Sequence, residues 1–197
     1  MRQEGTIEKP YNGKGEEDMG ATKAWTDTEL MQLPDDGYKY ELVDGALVVS
    51  PAGGRHGRTI VQLTIRLGAF VAARGLGEVF DSSTGYRLPG GNLRVPDLSF
   101  VATSRLPGGR APVGFLYVPP DLAVEVLSPD DRPRLVADKV NEYLAVGVRL
   151  VWVIDPETEQ ATVHRSDGTT LEIHSTAPLD GEHVVPGFTC LLSELFP

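Results

Sequence analysis

The segment Asp121 to Leu127, DLAVEVL, sets one glutamate inside a continuous apolar run. Such a run is the pattern of a central strand covered on both faces. An unpaired carboxylate buried there is strongly unfavourable. Glu125 must therefore point to an exposed face of its sheet, or be compensated by a metal, a lysine or an arginine. A second acid, Asp97, lies in RVPDLSF directly after Pro96. Proline has no N–H, so it predicts a strand edge or a bulge, which re-aims the next side chain. Two acids on neighbouring strands can converge on one hard cation. Mg²⁺ takes oxygen ligands and keeps several waters, so two carboxylates and a carbonyl suffice. A turn or an ion pair is the other reading of Asp97 alone.

The surrounding pattern predicts one mixed α/β domain over residues 21–197, with helices on a sheet. Residues 1–20 are Gly- and Glu-rich without apolar period and read as a disordered tail. Trp25 to Leu33 is a short helix capped by Thr26 or Asp27 and stopped by Pro34. Tyr38 to Pro51 is a hairpin about Asp44-Gly45. Ile60, Leu63, Thr64, Leu67, Phe70 and Val71 recur at helical spacing between Gly57 and Arg74, and Gly75 and Gly77 end that helix. Strands follow over residues 78–88 and 93–102. After a Pro/Gly loop come the Glu125 strand, a helix capped by Asp130 or Asp131 and running to about Val146, and the strand Leu150 to Ile154. A second hairpin turns at Asp167-Gly168, and a short apolar helix lies within the tail Gly187 to Phe196.

Composition narrows the classes. No apolar run approaches the ~20 residues of a membrane helix. The first ten residues lack the apolar stretch of a signal peptide. The single cysteine, Cys190, forms no internal disulfide, which fits a reducing cytoplasm. Net charge is −10, against a protein that coats nucleic acid. Yet residues 53–139 hold 11 Lys/Arg against 8 Asp/Glu, while residues 140–197 hold 2 against 9. The middle is either an arginine-bearing surface or a chance of composition. Gly85, Gly90 and Gly91 form no phosphate loop, and Ser50 and Ser128 precede prolines without a nucleophile elbow. His164, His174 and His183 fit no zinc spacing.

Lys139 lies on the helix after Glu125, four residues before Tyr143 and on the same face. A helix following a central strand folds back over the sheet, so its ammonium either reaches Glu125 or sits solvated at the surface.

YELVDGALVVSP, His56 at a helix start, VPDLSFV, AVEVLSP, DKVNEYLAVGV and LVWVIDP together resemble the Uma-two family of endonucleases, in the PD-(D/E)xK, restriction-endonuclease-like superfamily. The resemblance runs from about Tyr38 to Asp155. It implies a restriction-endonuclease-like mixed β-sheet flanked by helices, here with N-terminal and C-terminal hairpins. It maps the motif aspartate onto Asp97 and the motif glutamate onto Glu125. The superfamily lysine would stand at position 127, which is Leu127. In the Uma-two group it moves to the following helix, hence Lys139. Glu41 and His56 match recurrent positions, Glu41 as a further carboxylate near the metal and His56 as a phosphate contact or proton carrier. The surface acid of a hairpin and a helix-start histidine are their other readings.

The chemistry implied is Mg²⁺- or Mn²⁺-dependent phosphodiester hydrolysis in DNA. Asp97, Glu125 and the Val126 carbonyl would hold the metal. Lys139 would hold the attacking water, and Arg55 and Arg58 would contact flanking phosphates. Cutting both strands of a duplex calls for a homodimer with two such sites. Two rivals are a non-catalytic interaction module that kept the fold and a phosphoesterase for a smaller substrate. A convergent Asp97–Glu125–Lys139 pocket separates the enzymes from the module. An open, arginine-lined groove separates the nuclease from the phosphoesterase.

Overall fold

The computed structural model describes residues 25–34, 38–50 and 53–196. The tail expected over residues 1–20 lies outside them. Helix α1 (Asp27–Met31) starts on Thr26. The Thr26 hydroxyl accepts from the Glu29 N–H while the Glu29 carboxylate accepts from the Thr26 N–H, a capping box. Strands β1 (Lys39–Val43) and β2 (Ala46–Ser50) form the expected hairpin. Asp44 and Gly45 both take positive φ, 50° and 82°, as a two-residue turn of this hand requires. Helix α2 (Gly54–Arg74) buries Leu63, Leu67 and Val71 along one face, and Gly75 closes it in the left-handed region.

The two long strands expected over 78–88 and 93–102 are each broken in two. The first divides into β3 (Gly77–Asp81) and β4 (Tyr86–Arg87), the second into β5 (Leu93–Arg94) and β6 (Leu98–Ala102). Both breaks have local causes. The Asp81 carboxylate accepts from the Ser83 N–H and hydroxyl, which turns the chain after β3. Before β6, Pro96 has no N–H for the ladder. As a result β3 pairs with β6 in one sheet while β4 pairs with β5 in another.

A fully buried strand, β7 (Leu122–Val126), leads into α3 (Pro133–Ala145) and the parallel strand β8 (Leu150–Asp155). Neither Asp130 nor Asp131 caps α3. Its N-cap is Arg132, and Pro133 enters the first turn, where a missing N–H loses no helical bond. The Asp131 carboxylate instead accepts from the Ser128 N–H at 2.7 Å, bracing the loop before the helix. The second hairpin is β9 (Gln160–Arg165) and β10 (Thr170–His174). An unexpected small ribbon, β11 (Pro178–Asp180) with β12 (Thr189–Leu191), follows, and the tail helix is a 3-10 turn over Leu192–Leu195.

The large sheet runs β10-β9-β8-β7-β6-β3, antiparallel except between β7 and β8. The small sheet runs β2-β1-β5-β4. Side-chain alternation along β7 divides the core. Leu122, Val124 and Val126 pack with Leu63, Leu67 and Val71 of α2. Ala123 packs on the other face with Val140 and Tyr143 of α3. Glu125 shares the parity of Ala123, so the fold sends it toward α3, still buried. The small sheet is likewise two-faced. Leu42 and Leu93 pack with Leu30 of α1, which leaves Lys39 and Glu41 on the opposite face of β1.

Candidate active site

That opposite face of β1, the start of α2, the entry to β6, the end of β7 and one side of α3 enclose a cleft of about 830 Å³. Asp97, Glu125, Lys139, Glu41 and His56 all line it. Every candidate catalytic residue of the sequence reading therefore comes to one place.

Asp97 is buried just before β6. Its backbone N–H donates to the Val124 carbonyl, which carries the ladder past Pro96. Its Oδ2 accepts from the Val126 N–H at 2.8 Å and lies 3.2 Å from His56 Nε2, and its Oδ1 accepts from Lys39 Nζ at 2.7 Å. Burial works to raise the Asp97 carboxyl. Lys39 and His56, with Lys139 behind them, outweigh it and hold the group well below the usual carboxylate range. A carboxylate accepts only, so His56 presents Nε2–H to Asp97. His56 Nδ1 is buried with no partner among the described residues. His56 thus orients Asp97 in this arrangement.

Glu125 Oε1 accepts from the Tyr143 hydroxyl at 2.8 Å, and Oε2 accepts from Lys139 Nζ at 2.8 Å. Lys39 Nζ lies 3.8 Å from the same Oε2. Burial, with repulsion from Asp97 and Glu41, pushes the Glu125 carboxyl up despite both lysines. Burial and the Glu125 charge push the Tyr143 hydroxyl well above its ordinary value, so it stays a donor. Lys139 moves up: three carboxylates around it overcome the burial that would discharge it.

Glu41 joins the set from β1. Its Oε1 lies 2.9 Å from Lys139 Nζ and accepts from the Val95 N–H at 2.7 Å. Burial opposes ionisation of Glu41, yet Lys139, Lys39 and Arg94 hold its carboxyl low. Arg94 in turn bonds Glu142 on α3, and Asn92 donates to the same carboxylate. A chain of alternating charge therefore runs from α2 through both sheets to α3, and each buried acid has a cationic neighbour.

Lys39, Tyr143, Arg94 and Glu142 belong to this constellation and were not among the sequence-predicted site residues. Lys39 had a signal: in YKYELV it stands two residues from Glu41, hence on the same strand face. Arg55 and Arg58 lie outside the buried cluster. Both are exposed on the first turns of α2, and Arg55 pairs with Glu157 at 3.1 Å. Of the arginines in the basic middle of the chain, Arg58, Arg110, Arg132 and Arg134 are exposed, while others are tied to acids. Arg66 pairs with Glu194, Arg87 with Asp27 and Arg105 with Asp121.

Among the described residues no three His, Cys, Asp or Glu side chains gather as a ready cation cage. The donors that fit a hard cation are the two carboxylates bridged by Lys39. The Val126 N–H, bonded to Asp97 Oδ2, sets the end of β7 beside this pair.

No helix of the described residues is long and apolar enough to cross a membrane. No curated protein matches the chain. Among solved structures, it is similar to a protein from Anabaena variabilis ATCC 29413 described as a putative nuclease belonging to DUF820. The TM-score is 0.74 at 22% identity, over 87% of this chain and 97% of that one. At that identity the likeness speaks for the fold, a restriction-endonuclease-like mixed sheet. The family model Uma2, described as "putative restriction endonuclease", matches residues 27–193, which span α1, both sheets and the whole buried cluster; the chain belongs to that family.

Proposed function

We propose that the protein is a Mg²⁺- or Mn²⁺-dependent DNA endonuclease. The observation that carries this reading is the convergence of Asp97, Glu125 and Lys139 from three different elements on one cleft. A positive charge, the Lys39 ammonium, already lies within 2.7 Å of Asp97 and 3.8 Å of Glu125, so the two carboxylates suit a shared cation. Asp97 Oδ1, Glu125 Oε2 and the Val126 carbonyl would hold a divalent ion. All are hard oxygen donors. When bound, such an ion supplies Lewis acidity toward the scissile phosphate.

The chain's own residues do the rest. His56 and the Val126 N–H fix Asp97 Oδ2, which leaves Oδ1 aimed into the cleft. Tyr143 fixes Glu125 Oε1 in the same way. Lys139, charged and held between Glu125 and Glu41, orients a water through its remaining N–H and stabilises charge developing on the phosphoryl oxygens. Arg55 and Arg58, at the open end of α2, contact flanking phosphates. Duplex cutting would take a homodimer presenting two clefts, working in the cytoplasm.

One observation favours the smaller-substrate phosphoesterase. Of the residues lining the cleft, Arg94 is the arginine, and it is bonded to Glu142 rather than presented to a ligand. The test is plasmid nicking with Mg²⁺, Mn²⁺ or EDTA, beside hydrolysis of bis-p-nitrophenyl phosphate. Metal-dependent nicking lost in both Asp97→Ala and Glu125→Gln supports the nuclease. Turnover of the small diester with intact plasmid supports the phosphoesterase. Neither activity leaves the interaction module.

A further inference from the structure

We propose that Lys39 is the exchangeable counter-ion of the Asp97–Glu125 pair: its ammonium holds the position a divalent cation takes, and an entering cation displaces it. The inference rests on Asp97 and Glu125 as cation ligands, but not on the bond that the site cleaves.

The argument follows each oxygen to its partner. Asp97 Oδ2 is occupied by the Val126 N–H and His56. Glu125 Oε1 is occupied by Tyr143. Asp97 Oδ1 has Lys39 as its partner, and Glu125 Oε2, which accepts from Lys139 at 2.8 Å, keeps a second lone pair; these are the oxygens open to a cation, and Lys39 Nζ approaches both, at 2.7 and 3.8 Å. A cation reaching those oxygens would meet the ammonium at contact distance, where like charges in a buried site repel strongly. One of the two must leave.

Lys39 is the residue built to leave. Lys139 is held by two carboxylates, at 2.8 and 2.9 Å, from a helix packed on the sheet. Lys39, about as buried as Lys139, is the first residue of β1, on a flexible four-carbon stem with one close carboxylate contact rather than two. It can swing toward the mouth of the cleft without breaking a helix or a ladder. Its charge also acts on all three buried carboxylates, Glu41, Asp97 and Glu125, offsetting their mutual repulsion. Once displaced, the ammonium stands beside the cation at the cleft mouth, where an anionic substrate enters.

Titration calorimetry with Mn²⁺ tests this on wild type, Lys39→Met and Lys39→Arg. Removing the competing charge should tighten Mn²⁺ about tenfold or more in Lys39→Met, and Lys39→Arg should show no such gain. Equal or weaker affinity in Lys39→Met, or no binding by it, overturns the proposal. A second measurement needs no variant. Acetic anhydride labelling of the native chain, read by peptide mass spectrometry, should show Lys39 acetylation rising on addition of Mn²⁺ while Lys139 stays protected. Lys39 labelling indifferent to Mn²⁺ overturns it as well. Tighter Mn²⁺ binding without any plasmid cleavage would sink the nuclease reading and leave this one. Cleavage with Lys39 still protected would do the reverse.

Discussion

Lys139 of α3 bonds Glu125 of β7 at 2.8 Å, across the packed interface between helix and sheet. The lysine comes from about two turns into the helix rather than from position 127, yet its ammonium still reaches the glutamate. The reason is parity. Glu125 shares the sheet face of Ala123, and that face is the one α3 covers.

Replacing Lys139 by Met keeps the stem and removes the charge from between Glu125 and Glu41. Cleavage should fall about 10²-fold or more, as for loss of one transition-state donor. Stability at pH 7 should fall by about 3–5 kcal/mol, because a buried pair loses one member. That loss has a pH signature. The Glu125 carboxyl already sits above its ordinary value, and removal of Lys139 raises it further. A carboxyl raised in the folded state binds its proton more tightly there than in the unfolded chain. The variant is therefore relatively most stable below the unfolded carboxyl value and loses stability as pH rises through the folded one. Urea unfolding at pH 4.5 and 7 should show a smaller gap from wild type at the lower pH. A gap independent of pH would contradict the assignment.

Asp97 behaves with the opposite sign. Its folded carboxyl is depressed, first against burial and then by Lys39 and His56. It contributes stability that is present above the unfolded aspartate value, near ~3.9, and is lost as pH falls through the lower folded value. Asp97→Asn keeps an oxygen for the Val126 N–H and removes the charge. Unfolding midpoints between pH 2 and 6 should then fall less steeply toward acid than in wild type. Mn²⁺ binding should be lost at all pH values, which calorimetry reads directly.

Most of the fold was legible because its signals are local. The 3–4 spacing of Leu63, Leu67 and Val71 marked α2, and Asp44-Gly45 marked the first hairpin. The candidate acids were legible because a carboxylate in an apolar strand demands explanation. What escaped was long-range or cooperative. Arg94 and Glu142 meet across 48 residues of sequence, and no local pattern pairs them. The division of two strands between two sheets depends on the Asp81 turn and on partners elsewhere. The β11–β12 ribbon has three residues a side, too few to show a period. Lys39 was the readable miss, since the two-residue spacing to Glu41 was present in the sequence. Which of two cations compensates Glu125 depended on where α3 and β1 dock.

The far end of β7 provides a control. Asp121, fully buried, accepts from Arg105 at 2.8 Å, from both Nε and Nη2 of Arg149, and from the Ala102 N–H. Asp121→Ala leaves two guanidinium groups without their carboxylate and a strand N–H unpaired. It should destabilise the protein in denaturant unfolding, by less than a fully buried pair would, because both guanidinium side chains are about a third exposed. Asp121 and Glu125 stand four positions apart along the chain, so Mn²⁺ affinity of the folded variant should stay within about twofold of wild type. A large affinity change would mean that the two ends of β7 are coupled.

Arg55 and Glu157 give the last test, because their pairing restrains the proposed phosphate contact. Both side chains are largely exposed, at 65% and 52%, and the contact is 3.1 Å. An exposed pair of this kind is weak and screened by salt. Replacing Arg55 and Arg58 by Ala should therefore leave stability nearly unchanged. It should weaken duplex DNA binding alike for unrelated sequences, and the salt slope should flatten by about one unit for each phosphate no longer neutralised. Glu157→Gln should act the other way, releasing Arg55 and tightening DNA binding most at low salt. Fluorescence anisotropy with two unrelated duplexes, at several salt concentrations, reads all three effects. DNA affinity unmoved by the double alanine variant at low salt would place the nucleic acid elsewhere on the surface. Affinity unmoved by Glu157→Gln alone would show that Arg55 reaches the phosphate without leaving Glu157.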